Sequence, residues 1–312
     1  MTVFRSDVHL LGSRTVTPGL HAVGGAISAD EQQSWVPPET GRWLPMHLFA
    51  LRDGARAVIV DGGVRAFRDA IETGLADVLA GAEQTDIVLT RYNFDTLINI
   101  PWLCRRFDVR HLHVYLPSNF VLGTTRVMSF MDAFEDANIE LHVRSITPVE
   151  PTSILPGEDF TAAGRRMRCL RGPLRLLQSE WVYDYATRTL FCGDAFGCGT
   201  TSRPDGDVVT RAGHGEDVLT RLPDALLYRF GFLAGAETAG LRSDLAGIFD
   251  ALPVERLCPG FGTVIEGSDL VAAVRNLTDQ TLEQLSTAKP VTEVVGTPEY
   301  PTRVRTLDEV PF

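Results

Sequence analysis

The stretch Leu89-Thr90-Arg91-Tyr92-Asn93-Phe94-Asp95-Thr96 decides the fold when it is set beside Leu190-Phe191-Cys192-Gly193-Asp194-Ala195-Phe196-Gly197. In the first, the buried-strand run Ile87-Val88-Leu89 ends in Thr90 and passes into a polar turn. A turn built as His-x-His-x-Asp-His gathers imidazoles and a carboxylate that can surround a pair of cations. Here those slots hold Arg91, Asn93, Asp95 and Thr96. In the second stretch a β-rich run ends in Gly193 and delivers Asp194 to the following turn.

Upstream of the first stretch, Leu20 to Val23, Met46 to Leu51 and Ala57 to Val60 read as short strands. They are separated by Gly24-Gly25, by a polar loop with Pro37-Pro38 and by the turn Asp53-Gly54. Phe67, Ile71, Leu75 and Val78 recur at helical spacing and predict a helix over 64–79. Downstream, a helix is expected from about Asp95 to Phe107, a strand at His113 to Leu116, and a helix from Val121 to Ala137. The second half repeats the rhythm. Strands are expected at Leu141 to Val143, Phe160 to Ala163 and Met167 to Leu170, and Trp181 to Asp184 pairs with Thr189 to Cys192 across a turn. Helices at Leu222 to Phe249 and Asp269 to Leu285 flank a last strand at Arg256 to Gly260. The order points to two similar halves, packed as strands covered by helices.

With 312 residues, the chain is long for one core but within reach of a layered α/β fold. One domain is expected over residues 1–289. The Pro-, Thr- and Val-rich residues 290–312 lack helical periodicity and read as an extended C-terminal tail. A net charge of -11 argues against nucleic acid as a partner, because phosphate neutralisation needs a clustered basic excess. Arg165-Arg166-Met167-Arg168 is the one dense basic run and reads as a solvated strand face. No apolar run is long enough for a membrane span, and Met-Thr-Val-Phe-Arg-Ser-Asp lacks the apolar core of a signal peptide. A cytoplasmic protein without a membrane partner is expected. The five cysteines, Cys104, Cys169, Cys192, Cys198 and Cys258, form no zinc-type pair and read as buried small hydrophobes.

Four segments taken together carry a resemblance: Val58-Ile59-Val60-Asp61-Gly62-Gly63, Ile87-Val88-Leu89-Thr90, Leu190-Phe191-Cys192-Gly193-Asp194 and Cys258-Pro259-Gly260-Phe261-Gly262. In order and spacing they resemble the metallo-β-lactamase superfamily over roughly residues 20–285. Phe191 to Gly197, Leu226-Leu227-Tyr228 and the Pro-Gly-x-Gly turn look most like the flavodiiron branch. The resemblance implies an α/β fold, a four-layer αββα sandwich of two mixed β-sheets with helices outside.

It also implies where metal ligands would stand. The family's first histidine falls on Arg91, its second ligand on Asn93, its carboxylate on Asp95 and its next histidine on Thr96. The histidine four residues before Ser179 falls on Arg175, the bridging carboxylate on Asp194 and the final histidine on Phe261. Only Asp95 and Asp194 keep the family's residue. Arginine cannot be deprotonated to serve as a ligand, and guanidiniums beside the site repel a cation. A high-affinity dinuclear centre is therefore not expected. An oxygen-ligand site for Mg²⁺ or Ca²⁺ built on Asn93, Asp95 and Asp194 remains open on ligand type alone.

Two readings of the exchange stand side by side. Arg91 and Arg175 neutralise Asp95 and Asp194 in place, forming a salt-bridged plug. Alternatively the cavity persists, and Arg91, Tyr92, Asn93, Asp95, Arg175, Asp194 and Phe261 bind a small anionic molecule. Tyr92 has a plainer role as a turn cap, and Phe261 as core filler. Of the seven histidines, His47 and His142 lie in expected strands, and His111 and His113 share a strand face that could bind metal. His214, in a loop after Asp194, is the candidate general base, with Asp95 and Asp194 as the other catalytic candidates. Cys192 and Cys198 lack an identifiable base.

The function expected from these residues is a degenerate metallo-β-lactamase-fold protein without cofactors. It binds a small anion, with metal-independent chemistry as an option. A non-catalytic scaffold or subunit, and a divergent metallohydrolase or di-iron oxidoreductase, are the alternatives. A homodimer is compatible with either binding role.

Overall fold

Apolar side chains alternate along every central strand, and the two sets belong to different cores. In β3 (Trp43–Asp53) Leu44, Met46, Leu48 and Ala50 face one way while Phe49 and Leu51 face the other. In β4 (Arg56–Val60) Ala57 and Ile59 part from Val58 and Val60 in the same manner. A strand buried on both faces lies between two layers. The computed structural model describes residues 7–30, 36–115, 149, 151–175 and 179–288, apart from the side chains of Phe94 and Asp95.

These strands build two seven-stranded mixed sheets among the described residues. The first comprises β1 (Val8–Thr17), β2 (Leu20–Ser28), β3, β4, β5 (Gln84–Val88), β6 (Val109–Val114) and β7 (Pro151–Ser153), in that spatial order. Its first four strands form an antiparallel meander, and β4 to β7 run parallel. The second sheet comprises β8 (Asp159–Ala162), β9 (Arg165–Leu170), β10 (Trp181–Asp184), β11 (Thr189–Gly193), β12 (Val209–Arg211), β13 (Arg256–Pro259) and β14 (Val264–Glu266). Its order is β12-β14-β13-β11-β10-β9-β8, with β11 and β13 parallel. A helix layer covers each outer face. Helix α1 (Arg68–Val78) packs on β1 and β2, and the short α2 (Phe94–Leu97) and α3 (Ile100–Arg106) follow β5. Helices α4 (Glu216–Phe230), α5 (Ala239–Ala251) and α6 (Ser268–Thr287) cover the second sheet. The four-layer αββα sandwich expected from the sequence is therefore present.

Between the sheets lies a third core. Phe49 and Phe191 meet there with ring centroids 5.3 Å apart, joined by Val58, Val60, Val88, Met167, Val182 and Cys258.

Several boundaries differ from the sequence reading. Strand β1 was not anticipated, because its alternation is weak and Val8 and Leu10 are exposed at the sheet edge. The short strands β12 and β14 were also missed. The helix expected over 95–107 is two pieces, because Pro101 cannot donate a backbone hydrogen bond and starts α3 instead. The helix expected over 222–249 is likewise two. Gly231 closes α4, and Gly235, at φ +74°, turns the chain and donates its N–H to the Leu285 carbonyl. The helix expected over 121–137, the strand over 141–143, His142 and the tail 290–312 lie outside the described residues.

Replacing Phe191 by Ala removes a fully buried ring from the core between the sheets. The expected loss is ~3–5 kcal/mol of unfolding free energy, read from urea denaturation.

Candidate functional site

The C-terminal ends of β4, β5, β11 and β13 point to one edge of the sandwich, where they deliver Asp61, Thr90-Arg91, Asp194 and Gly260-Phe261. Ligand sites of open α/β sheets collect at such carboxyl ends because the loops there are free of helix and sheet pairing. The two sheets are laced together at this edge. Glu180 donates its N–H to the Thr90 carbonyl at 2.8 Å, and His47 donates its N–H to the Gly260 carbonyl at 3.1 Å.

Arg91 stands at the centre. Its Nε lies 2.8 Å from Asp194 Oδ1, and the two side chains are 4% and 2% exposed. Two glycines make room for it. A Cβ on Gly193 would lie 3.1 Å from Arg91 Cγ, and one on Gly260 would lie 3.2 Å from Arg91 Nη1. Below the pair, Asp61 takes the left-handed conformation, φ +67°, and its carboxylate collects three donors. These are the Thr90 N–H at 2.8 Å, the Thr90 hydroxyl at 2.6 Å and the Arg91 N–H at 3.2 Å. Burial raises the Asp61 pKa, partly offset by the bonds from Thr90 and by the charge of Arg91.

The second guanidinium at Asp194 is Arg229, on the buried face of α4, and not Arg175. Arg229 Nη1 donates to the Asp194 carbonyl, and Nη2 donates to the Gly197 carbonyl at 3.2 Å. Burial lowers its pKa to about 10, against the raising influence of Asp194, so it stays charged at neutral pH. The fully buried Phe261 ring lies 4.4 Å from the Arg229 guanidinium carbon and 5.8 Å from that of Arg91. Such an arrangement offers both cations the negative face of the π-system. Arg229 was missed in the sequence because it has no place in the ligand motif. Its signal was a charged residue among Leu222, Ala225, Leu226 and Phe230 on an otherwise apolar helix face.

The remaining candidates are dispersed. Arg175 pairs with Glu180, Nη1 to Oε1 at 3.4 Å, where the sequence reading set it beside Asp194. The Tyr92 hydroxyl accepts the Tyr115 backbone N–H, and its ring packs on the first core. The Asn93 carbonyl accepts the N–H groups of Thr96 and Leu97 at 3.0 and 2.9 Å and so begins α2. The Asp95 side chain lies outside the described residues. His214 is exposed between β12 and α4, and none of the contacts just given to Asp194 involves it. His47 is buried against Phe49 and the Pro259 carbonyl, and burial lowers its pKa to about 4. His111 and His113 do share a face, where Asp86 takes them at 3.1 and 3.3 Å. All five cysteines are buried and free, with burial pushing the thiol of Cys198 up to about 12 and that of Cys192 well above its usual range. They are inert packing groups.

Glu180 is a second group, beside Arg229, that the sequence reading does not single out. It is fully buried beneath Arg175, and burial raises its pKa to about 7, with Arg175 and Arg171 offsetting part of that rise.

Among the described residues no group of three or more His, Cys, Asp or Glu is arranged to hold a metal ion, and no helix is long and apolar enough to cross a membrane. No protein-family model matches the chain, and no curated protein does. Solved structures do. Rubredoxin:oxygen oxidoreductase from Desulfovibrio gigas superposes with a TM-score of 0.63 at 12% identity, covering 87% of this chain and 62% of that one. The flavodiiron protein from Giardia intestinalis gives 0.64 at 12% identity, covering 86% and 59%. A fragment of a diflavin flavoprotein from Nostoc, residues 1–254, gives 0.60 at 16% identity and covers 90% of this chain and 97% of the fragment. The likeness establishes the metallo-β-lactamase fold, in its flavodiiron form. This chain spans only about 60% of the length of the first two proteins. A di-iron centre does not fit the residues present. Asp194 is already ion-paired with the Arg91 guanidinium, the Arg229 guanidinium donates to its backbone carbonyl, and the Phe261 ring lies against both cations, so positive charge already occupies the place beside the carboxylate.

Glu180 should make stability depend on pH. Its folded pKa of about 7 lies above the unfolded 4.5, so the folded state holds the proton more tightly, and stability falls as pH rises through that window. Glu180→Gln is expected to raise the melting temperature at pH 8, by up to ~2 kcal/mol in free energy, with little effect at pH 4.5. An equal shift at both values would remove burial of the charge as the cause.

Proposed function

We propose that this chain uses the metallo-β-lactamase fold of the flavodiiron proteins without a dinuclear centre, as a binding or scaffolding domain. In this reading Arg91, Asp194, Arg229 and Phe261 form a closed structural plug where the fold's metals would sit. The observation that carries it is the 2.8 Å contact between Arg91 and Asp194, with neither side chain open to solvent. A carboxylate left there alone would cost several kcal/mol, and the guanidinium offsets that cost as a metal would. Redox and hydrolytic chemistry through a metal are absent from this account. The five buried free thiols suit a reducing compartment, in keeping with a cytoplasmic protein.

A small anion held at the same place is the second reading. It is favoured by the convergence of two buried guanidiniums, those of Arg91 and Arg229, on Asp194. The anion would take the place of Asp194 on Arg91, with Arg229 as its second cation.

Metal analysis tests the first reading. Protein expressed with iron, zinc and manganese supplied and purified without chelator is expected to carry less than about a tenth of an equivalent of each, whereas more than about half an equivalent of any tightly bound metal contradicts the plug. The two readings part on stabilisation by anions. The plug predicts a melting temperature unchanged by millimolar acetate or phosphate. A saturable rise that disappears in Arg229→Met would establish the anion instead.

A further inference from the structure

Away from the plug, the edge formed by the ends of β6, β7 and β9 carries an open cleft of about 600 Å³. That volume falls within the usual range for small-molecule sites. Its walls come from separate layers of the sandwich. Tyr115 follows β6, Leu155 and Pro156 follow β7, Leu170 ends β9, and Ile248 projects from α5. Leu155 is 46% exposed, so an apolar side chain stands in a concave place without burying its surface. Among the described residues the one charged group in the lining is Arg171, itself exposed.

The charge of Arg171 also reaches Glu180. That residue is fully buried, and its Oε2 meets no hydrogen-bond partner among the described residues. The charges that bear on it are those of Arg175, 3.4 Å away on its own loop, and Arg171, at the cleft; its own charge in turn helps to keep the Cys169 thiol on β9 and the Tyr92 hydroxyl on the turn after β5 neutral. Arg171 therefore faces two ways, toward the buried carboxyl and toward the open cleft.

We propose that this cleft binds a small amphipathic carboxylate, with an aromatic or branched aliphatic body against Leu155, Leu170 and Ile248 and its carboxylate on Arg171. The walls fix the body. Among the described residues they are mostly apolar and offer too few polar groups to hold a sugar or a nucleotide, whose hydroxyls would be stripped of water without replacement. The single guanidinium fixes the head group. It matches one planar carboxylate in a forked geometry, whereas a phosphate dianion calls for more donors than the described lining residues supply. The site shares no residue with the Arg91–Asp194 plug, so it stands independently of whether that plug opens.

Binding also carries a proton. A carboxylate on Arg171 draws positive charge away from Glu180 and adds negative charge near it, and both effects favour the protonated carboxyl. Near pH 7, where Glu180 is part ionised, association takes up a fraction of a proton from solution.

Titration calorimetry on the full chain tests the assignment, with 4-phenylbutyrate as the probe and its amide and inorganic phosphate as controls. Saturable one-to-one binding of the acid is expected, weakened about tenfold or more for the amide and for Arg171→Ala, and lost in Leu155→Asp. Arg171 and Leu155 are exposed, so unchanged circular dichroism and melting temperature would confirm that the variants fold. Comparison of buffers with different ionisation enthalpies is expected to show proton uptake at pH 7 in the wild type and none in Glu180→Gln. No saturation, equal affinity in Arg171→Ala, displacement by phosphate at matching concentration, or proton uptake surviving in Glu180→Gln would each overturn the proposal.

Discussion

A guanidinium and a carboxylate held 2.8 Å apart between two sheets set the terms for the residues around them. Neither ion tolerates this burial alone, since transfer from water costs each several kcal/mol. Their neighbours follow from that cost. Gly193 and Gly260 leave the backbone bare where the Arg91 side chain passes. The Asp61 carboxylate binds the Thr90 and Arg91 amides and so holds the start of the turn. Arg229 braces the far side by taking the Asp194 and Gly197 carbonyls, and Phe261 supplies a ring to both cations.

The sandwich explains why these groups meet at all. Parallel runs in each sheet send the ends of β4, β5, β11 and β13 to one edge, and the loops there carry all of the plug except Arg229. A fold of this kind brings charged groups together before it specifies what they do. In the proposed reading Arg91 supplies the positive charge beside Asp194, and the edge is a buried network that adds rigidity instead of reactivity.

The layers were legible in the sequence because strands buried on both faces leave unbroken apolar runs, such as Val58-Ile59-Val60 and Leu190-Phe191-Cys192. Helix boundaries were less so. The breaks at Pro101 and at Gly231 to Gly235 depend on single backbone donors and on one left-handed residue, which periodicity averages away. Edge strand β1, half exposed, had too little apolar alternation to register. At the site, Arg91, Asp194 and Phe261 were found because they occupy motif positions. Arg229 was not, since it reaches the centre from a helix far along the chain, and no local pattern marks a cation that a distant carboxylate will need. Arg175 was placed by alignment through a segment where three residues, 176–178, lie outside the described structure, and its carboxylate is Glu180.

The central claim is that Arg91 and Asp194 stabilise one another as a substitute for a metal, and a double-mutant cycle reads that coupling directly. Unfolding free energies would be measured for Arg91→Met, Asp194→Leu and the pair together. The account predicts that each single change costs ~3–5 kcal/mol by stranding the other ion, and that the double variant costs at least ~2 kcal/mol less than the sum. Strict additivity of the two losses would contradict it.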